Sequence, residues 1–513
     1  MNGAESLVKT LLANGVDTCF ANPGTSEMHF VAALDSHPDM RCVLCLFEGG
    51  ASGAAEGYFR MKQDVAATMF HLAPGFGNAY ANLHNARKGG SGIVNIMGDH
   101  ATRHMKYDSP LRGDTIGISQ SVSHWTRSSG DARSVARDGA EAIRAARSRG
   151  GQIATLILPA DTAWEEGAAP IEALPPSPRR LPGPEEISHA ATLLREPGSV
   201  LLIDQEAAFG PGLEQAAAIA AATGARLMSP LFLPRLARGA GYAQVQQLPY
   251  PVDMCLEALA GTNNIVLMGA KRPVNFFAYP GKPSTPEPVG CQVFDLCAPD
   301  MDVLGTLDAL SKATGAAGAS FPVNALNLPE LPTGPLTLEG VGQALAHLLP
   351  ENAIVGNESV TAGTSLLPPL VNARPHDLLI TTGGAIGDGL PLVTGAAIAC
   401  PDRQVVSLTG DGSAMYTIQS LWTMARERLN IVVVVIANRG YKILRGEMAA
   451  LGVEDYGRNA QAMFDIENPD LDWCALAKGH GVPSARATTN EEAVVALREG
   501  LATDGPFLVE VVV

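Results

Sequence analysis

The chain has 513 residues, a formal net charge of −16 and 46% hydrophobic content. Such acidity excludes partners that recruit basic surfaces, nucleic acids and anionic membranes among them. No apolar run approaches the roughly 20 residues of a membrane span, and Met1-Asn2-Gly3-Ala4-Glu5 lacks the charged and apolar regions of a signal peptide, so a cytoplasmic protein is expected.

At roughly 150 residues per domain the length predicts about three domains. Two Pro-rich stretches, Gly167 to Pro184 and Thr314 to Pro335, read as linkers. They delimit domains at 1–166, 185–315 and 335–513. Each block alternates short apolar runs with helical patterns, as in Ser199 to Ile203 and Asn264 to Met268. That alternation predicts the α/β class, with three mostly parallel sheets flanked by helices.

In the first block three strand-like runs end in loops of chemically capable residues. Phe20-Ala21 opens into Asn22-Pro23-Gly24-Thr25-Ser26-Glu27. Arg41 to Phe47 leads into Glu48-Gly49-Gly50-Ala51-Ser52-Gly53, a carboxylate at a strand-to-helix junction followed by residues small enough for a flat ring to approach. Val65 to Phe70 ends in His71-Leu72-Ala73-Pro74-Gly75. Cys42 and Cys45 form a Cys-x-x-Cys inside a strand-like run with no second pair at ligand spacing, so reduced core thiols are expected rather than a metal or redox site. The polar stretch Gly98 to Tyr107 reads either as substrate contacts or as a solvated loop.

The last block carries the most specific pattern. Gln404 to Thr409 reads as a strand and ends in Gly410-Asp411-Gly412; Ile431 to Ile436, too β-branched for a helix, ends at Ala437-Asn438. Between them Ile418, Leu421, Trp422, Ala425 and Leu429 recur at helical spacing. Strand, turn, helix, strand implies parallel neighbours joined by a right-handed crossover. Asp411 and Asn438 then emerge together at the carboxyl edge of the sheet, where open α/β sheets bind ligands. One carboxylate and one amide oxygen suit a hard cation such as Mg2+, whose other positions go to phosphate or water. The flanking glycines let the backbone close on a phosphate.

These motifs, in this order, resemble the thiamine diphosphate (ThDP) enzymes, in particular the 2-oxo-acid decarboxylases and acetolactate synthases, over essentially the whole chain. Gly410 to Tyr416 and Leu421-Trp422-Thr423 are most similar to benzoylformate decarboxylase. The resemblance implies a pyrimidine-binding domain, a middle domain and a diphosphate-binding domain. It places Glu48 at N1′ of the aminopyrimidine, where a carboxyl group in an apolar crevice can share a proton with the ring. It makes Asp411, Asn438 and the Gly440 carbonyl the Mg2+ ligands, and puts Gly410, Gly412, Ser413 and Tyr416 around the diphosphate. Gly384 would accept from the 4′-amino group, and Ile386 would bend the cofactor into a V.

His71 matches an active-site histidine of benzoylformate decarboxylase, able to move protons near neutral pH, and Thr25 matches a carboxylate-binding serine. The second histidine of that enzyme has no counterpart; Phe276, in Pro273 to Gly281, stands nearest its position. Phe276, Ile443 and Leu444 are candidates for the substrate pocket. The resemblance implies a non-oxidative decarboxylase of a small 2-oxo acid with carboligase activity. The alternatives are an acetolactate-synthase-like transferase and, third, a non-catalytic ThDP-binding homologue. No flavin (FAD) is expected, and a homodimer or a dimer of dimers (a homotetramer) is implied, with ThDP at the interface.

Overall fold

A computed structural model describes residues 1–453 and 455–513. The first sheet holds β1 (Thr18–Ala21), β2 (Arg41–Leu44), β3 (Ala66–Phe70), β4 (Ile93–Asp99), β5 (Trp125–Ser128) and β6 (Ile153–Pro159). All pairings are parallel, in the order β2-β1-β3-β4-β6-β5. The second contains β7 (Ser199–Ile203), β8 (Arg226–Ser229), β10 (Gln246–Gln247), β11 (Asn264–Met268) and β12 (Gln292–Cys297) in the order β10-β8-β7-β11-β12. The third is built from β13 (Ala353–Glu358), β14 (His376–Ile380), β15 (Val405–Gly410), β16 (Ile431–Ala437), β17 (Ser484–Ala487) and β18 (Phe507–Val512). Its order is β17-β18-β16-β15-β13-β14, extended at the β14 edge by the antiparallel strand β9 (Leu236–Arg238). The expected α/β class with mostly parallel sheets is what the chain adopts.

Strands such as Ile431–Ala437 are buried along their whole length, the environment of a parallel sheet covered by helices on both faces, where β-branched side chains pack well. Two sequence readings need correction. The run Arg41 to Phe47 is strand only as far as Leu44, and the chain turns before the helix Glu48–Lys62 begins. Cys42 is exposed on that edge strand rather than in a core, whereas Cys45 is buried and its thiol is pushed up to about 12 by burial.

The first and third sheets share one strand order. Reading β13, β14, β15, β16, β17 and β18 as strands one to six gives 2-1-3-4-6-5 in both. The helix after the second strand is Glu48–Lys62 in one and Gly389–Ala399 in the other, and these two helices make the most extensive helix–helix contact in the molecule. Glycines allow it. A Cβ at Gly57 would fall on the Leu392 carbonyl, one at Gly395 on the Ala54 carbonyl, and one at Gly53 would lie 2.6 Å from Pro391 Cβ. A single apolar cluster runs through the contact, from Phe20 and Phe70 through Ala54, Leu392 and Val393 to Val433 and Val435. Gly395→Ala is therefore expected to destabilise the protein by about 1–3 kcal/mol, the usual cost of overpacking, despite the better helix propensity of alanine; chemical unfolding with purified variant measures it.

Candidate functional site

In a doubly wound sheet a crevice opens where neighbouring strands send their connections to opposite faces. In the first sheet β1 and β3 are such neighbours. The β1 loop contributes the single 3₁₀ turn Thr25–Glu27, and β3 runs into His71, which caps the helix Leu72–Gly89. His71 Nδ1 lies 2.9 Å from Glu27 Oε2 and 3.1 Å from Ser26 Oγ. Glu27 is buried, accepts from Gly24 N at 3.1 Å, and takes the Ser26 hydroxyl on its other oxygen. A Cβ at Gly24 would strike the His71 ring and one at Gly98 the Glu27 carboxylate, so both glycines are dictated by close approach. A carboxylate on Nδ1 fixes the proton there and leaves Nε2 as the working nitrogen. Thr25 is exposed at the mouth of the crevice.

Glu48 begins the next helix over. Its side chain is buried and accepts from Asn78 Nδ2 at 3.0 Å, while a Cβ at Gly75 would approach its Oε1 to 3.1 Å. No hydrogen bond joins Glu48 to Gly384, Asp411 or Asn438 among the described residues. The polar stretch after Gly98 is tied to neighbouring segments of the chain: Asp99 accepts from Thr115, Ser109 bonds His100, Asp161 accepts from Thr102, and Arg103 lies over Trp164.

In the third sheet Gly410 of β15 pairs with Ile436 of β16, so Asp411 and Asn438 do emerge at one edge. Asp411 Oδ1 accepts from Gly412 N at 2.8 Å and Oδ2 from Arg439 N at 2.7 Å; Asn438 Oδ1 accepts from Gly440 N at 3.1 Å. Burial raises the Asp411 carboxyl above its ordinary value, offset in part by these backbone donors. The donor set is all oxygen, the chemistry of a hard divalent cation. A Cβ at Gly412 would run into the Tyr441 ring and come within 2.9 Å of Ile466, so only glycine fits there. Ser413 is buried beside it, and Tyr416 is exposed. These residues fit a Mg2+-bound diphosphate.

The loop 383–388 is clamped from both sides. Asn85 accepts from Ala385 N at 3.1 Å and donates to Ala385 O at 2.8 Å; Asn82 and Thr417 donate to Gly387 O at 3.2 and 2.9 Å. Glu358, at the end of β13, accepts from Gly387 N and Asp388 N, both at 2.8 Å. Gly384 has φ +74, and a Cβ there would lie 2.7 Å from the Phe276 ring. Ile386 is half-buried, Ile443 likewise, and Leu444 is exposed. The structure thus brings Phe276 against Gly384, and puts Ile443 and Leu444 on the helix Lys442–Ala450 that follows the Asn438 edge.

Sequence reasoning passed over Glu27, although it stands two residues after Thr25, and it passed over the carboxyl cluster behind the loop. Asp388 is fully buried and no N–H or O–H donor among the described residues reaches either of its oxygens, while Glu56 pairs with the buried Arg60. Burial raises Asp388 well above the ordinary carboxyl value and the facing Glu56 adds to it; burial raises Glu56 too, but Arg60 acts on it directly. Asp388 is the member that holds the proton. The only signal was a carboxylate where the surrounding glycines and apolar residues leave it no water.

Two sheets of one strand order, one with a crevice edge rich in oxygen ligands and glycine, the other with a carboxylate and an imidazole, suit a two-part cofactor enzyme of the ThDP type. Residues 1–123 match the thiamine pyrophosphate enzyme N-terminal TPP-binding domain and residues 367–511 its C-terminal TPP-binding domain. The chain is 48% identical to the Mycobacterium tuberculosis protein named "Putative acetolactate synthase large subunit IlvX", over 100% of this chain and 99% of that one. It is 29% identical to the benzoylformate decarboxylase of Pseudomonas aeruginosa, over 98% and 97%. Its fold superimposes on a Rhodococcus jostii ThDP-dependent 4-hydroxybenzoylformate decarboxylase with a TM-score of 0.87 at 24% identity, covering 99% and 98%. The protein belongs to the ThDP-dependent 2-oxo-acid enzyme family.

The clamp on loop 383–388 has a pH signature. Burial pushes Glu358 up from 4.5 to about 7, so between those values the folded protein binds more protons than the unfolded chain. Stability contributed by the protonated group is full below about pH 4.5 and is lost as pH rises through about 7. That shift corresponds to about 3 kcal/mol. Glu358→Gln keeps an acceptor for both N–H groups and removes the titration. The difference in unfolding free energy between wild type and variant is expected to fall by that order from pH 4.5 to 8, measured by urea denaturation at each pH.

Proposed function

We propose that the protein is a Mg2+- and ThDP-dependent decarboxylase of a small 2-oxo acid, with carboligase activity. The domain at 1–166 would hold the pyrimidine, the one at 335–513 the diphosphate, with 185–315 between them. The observation that carries the reading is the Glu27–His71 pair at the β1/β3 crevice: a buried carboxylate sets an imidazole so that one nitrogen faces outward for proton transfer. Bound ThDP supplies the electron sink that decarboxylation of a 2-oxo acid needs. Asp411, Asn438 and the Gly440 carbonyl would hold the metal, and Gly410, Gly412, Ser413 and Tyr416 would surround the diphosphate. The Gly384 carbonyl and Ile386 would receive the aminopyrimidine side of the cofactor. Glu48 of the partner subunit would share a proton with the pyrimidine ring. Thr25 offers a hydroxyl to the substrate carboxylate, and Phe276, Ile443 and Leu444 wall the acyl side.

The partner subunit enters because Glu48 and the Gly384–Asp411 edge share no hydrogen bond within one chain. Exposed apolar side chains beside both edges, Leu46, Tyr80, Met415 and Tyr416, suit burial in a homodimer or dimer of dimers. An acetolactate-synthase-like condensation of two 2-oxo acids is the second reading. It is favoured by Phe276, which puts a ring rather than an imidazole over Gly384; a site with one fewer acid releases its product more slowly and leaves time for a second carbonyl.

The deciding experiment incubates the protein with ThDP, Mg2+ and a panel of 2-oxo acids, scoring CO2, aldehyde and hydroxyketone separately. A 2-hydroxy-3-oxo acid formed from two 2-oxo acids with loss of a single CO2, and no free aldehyde, would select the second reading. His71→Ala is expected to slow CO2 release by about 10²–10⁴-fold with cofactor affinity unchanged. Asp411→Ala should abolish tight ThDP binding, followed by calorimetry; wild-type affinity in that variant would remove the metal site from the proposal. Glu48→Gln should bind ThDP yet exchange its C2 proton far more slowly by NMR.

A further inference from the structure

Glu447 takes no part in the assignments above. It lies on the helix Lys442–Ala450, three and four residues beyond Leu444 and Ile443, so helical geometry puts it one turn along the face those residues share. Two tyrosines of the middle segment reach it. Tyr250 Oη donates to Oε1 at 3.1 Å and Tyr279 Oη to Oε2 at 2.9 Å. Burial raises both phenols, with the Glu447 charge adding to it, so both remain donors throughout the physiological range. No lysine or arginine among the described residues lies within ion-pair distance of Glu447. The carboxylate is therefore held in place without its charge being cancelled.

The surroundings are aromatic. Phe276 stacks against Phe232, Tyr250 and Phe277 at centroid separations of 5.5, 5.6 and 4.7 Å, and its far edge meets Gly384. A continuous wall thus runs from the expected aminopyrimidine anchor to the Glu447 carboxylate. Each carboxylate oxygen has one lone pair taken by tyrosine and one left over.

We propose that Glu447, fixed by Tyr250 and Tyr279, is a specificity residue at the end of the acyl pocket, selecting flat acyl groups that end in a hydrogen-bond donor and rejecting those that end in an anion. The inference rests on the assignment of Phe276, Ile443 and Leu444 to the acyl side. A donor on the ligand meets a charged acceptor in a site walled by rings; a second carboxylate meets an uncompensated like charge.

The test uses the ThDP- and Mg2+-loaded protein and calorimetry with three unreactive carboxylates: phenylacetate, 4-hydroxyphenylacetate and 4-carboxyphenylacetate. Wild type is expected to bind the hydroxylated ligand about 10-fold or more tightly than phenylacetate, the scale of a hydrogen bond to a charged group, and not to bind the dicarboxylate measurably. In Glu447→Gln the hydroxyl preference should shrink to about 3-fold or less and the dicarboxylate should bind. The double variant Tyr250→Phe, Tyr279→Phe keeps the charge but frees the carboxylate; it should go on rejecting the dicarboxylate while losing the hydroxyl preference, and it answers the question if the glutamine variant does not fold. Equal affinities for the three ligands in wild type, no binding of any of them, or a preference untouched by both variants would overturn the assignment. Lack of CO2 release from every 2-oxo acid would instead overturn the decarboxylase reading and leave this ligand preference standing.

Discussion

Everything at the two crevice edges depends on the contact between the helices Glu48–Lys62 and Gly389–Ala399. Each begins at a functional edge: one with Glu48 itself, the other directly after the loop that carries Gly384 and Ile386. Their backbones touch through Gly53, Gly57 and Gly395. Glycine within a helix costs about 0.5–1 kcal/mol relative to alanine, and three are tolerated here because no side chain fits between the two backbones. The reward is positional. With the helices in backbone contact, the first and third sheets have little freedom to slide, and the distance between the carboxyl edges is set by main chain rather than by adaptable side chains.

Polar groups complete what the glycines begin. Arg60 donates to the Ile380 carbonyl at 2.7 Å and the Pro234 carbonyl at 3.2 Å as well as pairing with Glu56, so one buried guanidinium ties the helix Glu48–Lys62 to β14 and to the segment that leads into β9. A buried ion pair of this kind contributes little net stability after desolvation, and its attested value is in specifying one arrangement. Asp388, protonated beside it, and Glu358, titrating near 7, then hold the turn before Gly389. Loop 383–388 is consequently determined by three elements at once: β13 through Glu358, the helix Leu72–Gly89 through Asn82 and Asn85, and Thr417.

What the sequence disclosed and what it withheld follows from this construction. Asp411 and Asn438 were legible because their neighbours are local: a β-branched run, a Gly-rich turn and a helical period encode strand, loop and crossover within thirty residues. Glu48 and His71 were legible for the same reason, each standing at a strand end before a run of small residues. The common strand order of the first and third sheets was not, since which strands pair across a sheet is written in no local residue pattern. Nor was β9, three residues from the middle block pairing with His376–Leu378, because no local pattern states which sheet an edge strand joins. Glu27 reads as an ordinary loop residue until Gly24 and Gly98 are folded around it, and Glu447 as a solvated helix residue until two tyrosines arrive from nearly 170 and 200 positions away.

Four carboxylates illustrate how one fold distributes acid–base character through environment alone. Glu27 is buried but accepts three hydrogen-bond donors, one of them the imidazole it positions. Asp388 is as deeply buried and has no donor, so it is kept neutral. Asp411 lies between, raised by burial and offset in part by two backbone donors. Glu447 is half-buried and takes two phenolic donors. The same functional group is thereby set in four environments: against an imidazole, in a donorless core, at a sheet edge between backbone amides, and between two phenols. The difference lies in the number of N–H and O–H groups each meets when the chain closes, and that number is a property of the fold before it is a property of the reaction.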